Sequence, residues 1–193
     1  MKKLILALAL VVAMAPVASA NSTFGFAWNP AVPLGDLADF TSGLQLRGAC
    51  MEWRKFNRSD LAVGASISWL VFNDSSEGTV TEGPLTITGK RWDYVNTIPL
   101  HVTAYKYFST DRRSTRVFAG LGAGANWMEY RTEVGSYTFD DSQWHFALAP
   151  EIGMQLPWDK WLGFVSVRWQ YVFAAGDFEA QNWIDFKIGF GLD

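Results

Sequence analysis

The chain has 193 residues and a formal net charge of −3, with 16% aromatic and 18% charged residues. That length suffices for one domain with a sizeable core, and the acidic balance argues against a nucleic-acid partner. Cys50 is the only cysteine, which excludes an intramolecular disulfide.

Residues 1–20, MKKLILALALVVAMAPVASA, join a Lys2-Lys3 start to an apolar run from Leu4 and an A-x-A site at Ala18-Ser19-Ala20. This pattern predicts a secretory signal peptide, cleaved after Ala20. The run is short and holds Pro16, unlike a spanning helix. No cysteine sits at the cleavage site, so no lipoprotein is expected. The mature segment, 21–193, has 14 basic residues against 19 acidic, a formal charge of −5.

From there the sequence alternates with a period of two, the period of a strand. Eight segments do so: 22–32, 43–56, 60–73, 92–108, 115–130, 142–156, 161–173 and 182–192. In LAVGASISWLVF, Leu61, Val63, Ala65, Ile67, Trp69 and Val71 share one face; Ala62, Gly64, Ser66 and Ser68 share the other. In VFAGLGAGANW the glycines 120, 122 and 124 share one parity, opposite Val117, Ala119, Leu121, Ala123, Ala125 and Trp127. The G-x-G-x-G spacing matches neither nucleotide-binding glycine motif. It reads as a strand whose glycines leave room inside. Later, VSVRWQYVF sets Val165, Val167, Trp169, Tyr171 and Phe173 against Ser166, Arg168 and Gln170. Most segments reach the roughly nine to eleven tilted residues that span a bilayer.

The links alternate in length. FNRSD, STDRRST and PWDK are short; 33–42, 74–91, 131–141 and 174–181 are longer. This order predicts an all-β fold, an eight-stranded antiparallel up-and-down transmembrane β-barrel with both termini at the short-turn end. Open sheets cannot sit in lipid, so the strands must close. A girdle of aromatics is expected near the strand ends: Trp28, Trp53, Trp92, Tyr94, Trp127, Trp144, Trp158 and Trp161. A soluble lipocalin-like barrel is the rival. Its outer wall would be glycine, serine and alanine with few charges, contrary to what solubility requires.

On these features the mature chain resembles the small outer-membrane barrels of OmpA/OmpX type and, more loosely, porin-family barrels of Gram-negative bacteria. The resemblance rests on the export signal, the eight dyad-repeat strands and runs such as RVFAGLGAGANW. It implies outer-membrane localisation, contact with outer-membrane lipids and lipopolysaccharide, insertion by the barrel-assembly machinery, and a monomer. The chain departs from the pattern in ending Phe190-Gly191-Leu192-Asp193 rather than on an aromatic residue. Pro99 and Pro150 fall inside strands, where a bulge or a lost ladder bond is expected. No segment follows the last strand, so no peptidoglycan-binding domain is expected.

An eight-stranded interior has room only for side chains. Inward parity collects Glu52, Arg54, Glu151, Arg168, Asp185 and Lys187, read as a structural charge network. If Glu151 sits opposite Ser166, and Arg168 opposite Lys187, Arg168 becomes a hub bridging Glu151 and Asp185 diagonally. Lipid-modifying enzymes exist on such barrels, with His101 and His145 as candidates here. His145 lacks the hydroxyl two residues on that a deacylase His-x-Ser pattern supplies, so no enzyme is expected. Asp140-Asp141 and Asn73-Asp74 with Glu77 offer too few ligands for calcium; no metal or cofactor is expected. Cys50 reads as a small packing residue, with Arg47 or Lys55 free to snorkel nearby. Function then falls to a structural or surface-interaction role, with loop 74–91 as candidate ligand contact. The alternative is a conduit or binder for small apolar molecules.

A closed barrel resists detergent until heated. The membrane fraction should therefore shift in gel mobility between unboiled and boiled samples. A soluble periplasmic protein with no shift would place the apolar rows inside instead.

Overall fold

The computed structural model describes residues 22–192 except 83–84, 135–136 and 159–160, and not the side chains of 78–88. The predicted signal peptide lies outside the described residues. The elements are β1 (Ser22–Trp28), β2 (Ala31–Leu34), α1 (Asp36–Phe40), β3 (Arg47–Arg58), β4 (Leu61–Glu82), β5 (Leu85–Tyr107), β6 (Arg116–Val134), β7 (Tyr137–Trp158), β8 (Trp161–Val172) and β9 (Gln181–Leu192).

β1 pairs antiparallel with β3, each strand from β3 to β8 pairs with its successor, and β9 also pairs with β1, closing the ring. β2 continues β1 along β9 in unchanged register, from Trp28↔Ile188 to Ala31↔Asp185. Pro30 interrupts this strand, yet its carbonyl accepts the Phe186 N–H at 2.9 Å. Nine strand segments thus make an eight-stranded up-and-down barrel.

The faces divide as the alternation requires. β8 alternates exposed and buried along its length. Val165, Val167 and Trp169 stand outward; Ser166, Arg168 and Gln170 are buried inside. Large apolar side chains cover the outer wall, among them Leu121, Ile152, Phe186 and Ile188. The lumen is the polar side. This inversion of a soluble protein is the pattern of a barrel solvated by lipid.

The luminal glycine row has a steric reason. A Cβ on Gly120 would fall 2.3 Å from Cδ1 of Tyr105, and one on Gly153 would fall 2.6 Å from Cζ of Phe118. These glycines let aromatic rings from adjacent strands lie across the lumen.

Two sequence expectations take definite form. The β4–β5 ladder skips Ser68 and Trp69, opposite Pro99 and Ile98, and resumes in the same register. The β7–β8 ladder likewise passes from Leu148↔Tyr171 to Glu151↔Arg168 around Pro150. Each proline interrupts its ladder without a bulge. Two long links, 74–91 and 131–141, are largely strand rather than loop: β4–β5 pairing runs to Glu82↔Leu85 and β6–β7 pairing to Val134↔Tyr137. Link 33–42 contains the end of β2 and α1, neither foreseen in the sequence.

Leu121 is 51% exposed on the outer wall. Leu121→Arg should cost about 2–4 kcal/mol in denaturant unfolding from bilayers. Leu156→Arg, two residues from the end of β7, should cost far less; equal costs would contradict the placement.

Candidate functional site

The barrel interior is stacked in three tiers. At the end bearing the longer links, Leu37 of α1 is buried with Phe72, Val95, Met128 and Trp183, and Phe40 and Tyr130 pack against this cluster. The Phe72 and Trp183 rings meet edge-on at 5.5 Å. Leu37 reaches this cluster because the chain after α1 is tied down. The Asp74 carboxylate accepts from the Ser42 N–H at 3.0 Å and the Ser42 hydroxyl at 2.6 Å. These donors, with the Ser75 N–H, hold the Asp74 carboxyl below its ordinary range. The contact is therefore complete above that range and lost as pH falls through the depressed value.

At the short-turn end, Phe56, Tyr105, Tyr107 and Phe118 form a second buried cluster. Two guanidiniums cover Phe56, those of Arg112 at 4.3 Å and Arg116 at 5.1 Å. Arg116 also donates to Gln155 Oε1.

Between the aromatic tiers lies buried charge. Lys187 Nζ contacts Glu52 at 3.0 Å and Glu151 at 2.8 Å. Arg54 contacts Glu52 at 2.7 Å and Glu151 at 3.7 Å. Two bases and two acids thus form a closed square. Arg54 also donates to the Tyr107 hydroxyl at 2.9 Å and lies 4.1 Å over the Tyr105 ring, which Gly120 leaves room for. The Ser166 hydroxyl donates to Glu151 at 2.7 Å. Beside the square, Arg168 pairs with Asp185 at 3.2 Å and donates to Ser68 at 3.0 Å. All six charged residues are at most 6% exposed.

The six inward-parity charges therefore meet, but not through one hub. Glu151 lies directly opposite Arg168, and Arg168 opposite Asp185, both two residues away from the expected registers. Arg168 takes Asp185, while Glu151 turns to Lys187 and Arg54. Tyr105 and Tyr107 complete the site as partners that charge counting alone could not reveal.

The expected girdle residues separate by position. Trp127 and Trp144 pair across strands, as do Trp158 and Trp161. Trp28 and Trp144 are exposed on the wall, and Trp158 is 81% exposed. Trp53 stands on the outer face of β3 and is only half-exposed. Trp92 and Tyr94 lie on β5 beyond the last β3–β4 pair, Arg47↔Val71, and Lys90 Nζ is 4.3 Å over the Trp92 ring. Trp69, also exposed on the wall, belongs to the outward aromatics but sits within a strand run.

His145 Nδ1 faces the Phe173 carbonyl at 2.9 Å and so carries the proton there. His101 is buried in the lumen, in line with Glu52 through Ser66. Cys50 packs with Ala27 and Phe164. Among the described residues no cluster of three metal-ligating side chains forms.

The geometry defines a class: an eight-stranded transmembrane barrel of the small outer-membrane type. No family model matches the sequence, and a search of curated proteins returns no match. Solved structures similar to it include neisserial surface protein A, with a TM-score of 0.56 and 12% identity over 90% of this chain and 97% of that one. Ail, the attachment invasion locus protein of Yersinia pestis, gives 0.54 and 13% over 89% and 97%. Ail in complex with the heparin analogue sucrose octasulfate gives 0.50 and 14% over 89% and 95%. At these identities the likeness is one of fold.

Removing one member of a buried ion pair strands the other. Lys187→Met should destabilise the barrel by about 3–5 kcal/mol, and the Arg168→Met/Asp185→Leu double variant should cost less than Arg168→Met alone. Unfolding curves that show additive losses, or none, would contradict the network.

Proposed function

We propose that the chain is exported, loses residues 1–20 and resides in the Gram-negative outer membrane as a monomeric, non-enzymatic barrel inserted by the barrel-assembly machinery. Its long-link end faces outward, and its role is structural or surface-interacting through those links, hairpin 74–91 above all. The observation that carries this reading is the filled lumen. Apolar side chains occupy both ends and paired charge the middle, leaving the outer surface as the place where specificity can reside.

The chemistry of that surface narrows the partner. The four longer links hold ten carboxylates, from Asp36 to Glu179, against Lys90, Arg91 and Arg131. A polyanion such as the heparin analogue bound by Ail would meet net repulsion here. A neutral or cationic partner fits better.

A second reading, a conduit for small apolar molecules, draws on the apolar cluster beneath α1. Deleting 76–89 separates the two. Adhesion lost from cells, with the heat shift in gel mobility intact, supports the surface role; altered uptake of apolar solutes supports the conduit. Planar bilayers holding the full chain should show no stepwise ion current. Regular openings would contradict the filled lumen.

A further inference from the structure

The outer wall has one gap in a row otherwise built of large side chains. Trp28 pairs with Ala49, and Ala49 with Trp69. Further round, Ile98 pairs with Trp127 and Trp127 with Trp144. Only Ala49 is small, so the indoles of Trp28 and Trp69 wall a slot whose floor is Ala49 and Met51. The groove measures about 530 Å³ and is almost wholly apolar in its lining. That volume lies within the range of small-molecule sites, about 300–1,000 Å³. One wall is pinned: Trp28 Nε1 donates to the Leu46 carbonyl at 2.7 Å.

The slot has a polar head. Arg47, the next outward residue beyond Ala49, is exposed and has no carboxylate partner among the described residues. A second recess, about 390 Å³, adjoins across Trp69, with Arg47, Tyr94, Asn96 and Arg131 around Val71. Glu133 also lines it, two outward positions up β6 from Glu129. Glu129 accepts from Asn96 at 3.0 Å and contacts Arg131 at 3.4 Å. An anion is therefore best placed at the Arg47 end, directly above the apolar slot.

We propose that this composite groove is a lipid site for a phosphorylated, acylated glycolipid of the lipid A kind, with an acyl chain over Ala49 between Trp28 and Trp69 and a phosphate on Arg47. The inference rests on the outer-membrane reading, which puts the long-link end in the glycolipid leaflet. Charge complementarity selects this occupant: an arginine without a carboxylate partner tops the groove on an end otherwise rich in carboxylates.

The test uses the full mature chain, refolded without lipid A and verified by its heat-dependent mobility. It is mixed in detergent with bisphosphorylated lipid A, monophosphoryl lipid A or phosphatidylglycerol and read by native mass spectrometry. One lipid A should remain bound, roughly tenfold more tightly than phosphatidylglycerol, the weight of about one charge-assisted hydrogen bond. Ala49→Phe should lower occupancy by all acylated ligands. Arg47→Gln should reduce bisphosphorylated lipid A to the monophosphoryl level and lower phosphatidylglycerol, which carries a single phosphate, by a smaller factor. Equal retention of phosphatidylglycerol and lipid A, or heat-shifting variants that bind as the wild type does, would overturn the site. A wild type without a heat shift would overturn the membrane reading itself, and the site with it.

Discussion

Every backbone donor and acceptor in the wall must find its partner inside the chain, because hydrocarbon offers none. The pairing of β9 with both β8 and β1 meets that constraint, and much else follows from it. The first barrel strand is broken at Asn29-Pro30, yet β2 resumes along β9 in register, so closure survives the break. Pro99 and Pro150 test the same constraint. Each omits a stretch of ladder without displacing the strands on either side. Closure also fixes the interior width, and an eight-stranded ring is just wide enough for side chains to fill.

Filling that interior sets the second problem. The outward rows are spent on lipid, so the inward rows must pack without a conventional apolar core along their whole length. The chain places apolar clusters at the two ends and three acids with three bases between them. Burying charge is costly unless each group is paired and hydrogen-bonded. The square of Glu52, Arg54, Glu151 and Lys187, with Arg168 and Asp185 beside it, meets this condition. Glycine enters here as an absence of volume: Gly120 admits the Tyr105 ring, and that ring carries the Arg54 guanidinium.

The fold was legible because alternation over long runs has only one structural reading, and the lengths of the links gave the topology. The partners inside the lumen were less legible. Sliding one strand against another by two residues keeps every side chain on its own face. Parity thus identified Glu151, Arg168 and Asp185 as inward but could not tell that Arg168 lies opposite both of the others. Five-residue α1 has no periodicity to read, so the residue that enters the top of the lumen, Leu37, passed as loop. Trp69 was hidden by its place inside a strand run; only pairing with Ala49 reveals its relation to Trp28.

The account depends on which side of the wall meets lipid. Single nitroxides at Leu121, Ile152, Val167 and Ile188, in a Cys50→Ala chain reconstituted into bilayers, read this through collision with oxygen and with a water-soluble nickel chelate. The account predicts high oxygen and low nickel accessibility at all four, with the reverse at Ser75 on the outer hairpin. High nickel accessibility at the four wall positions would contradict it.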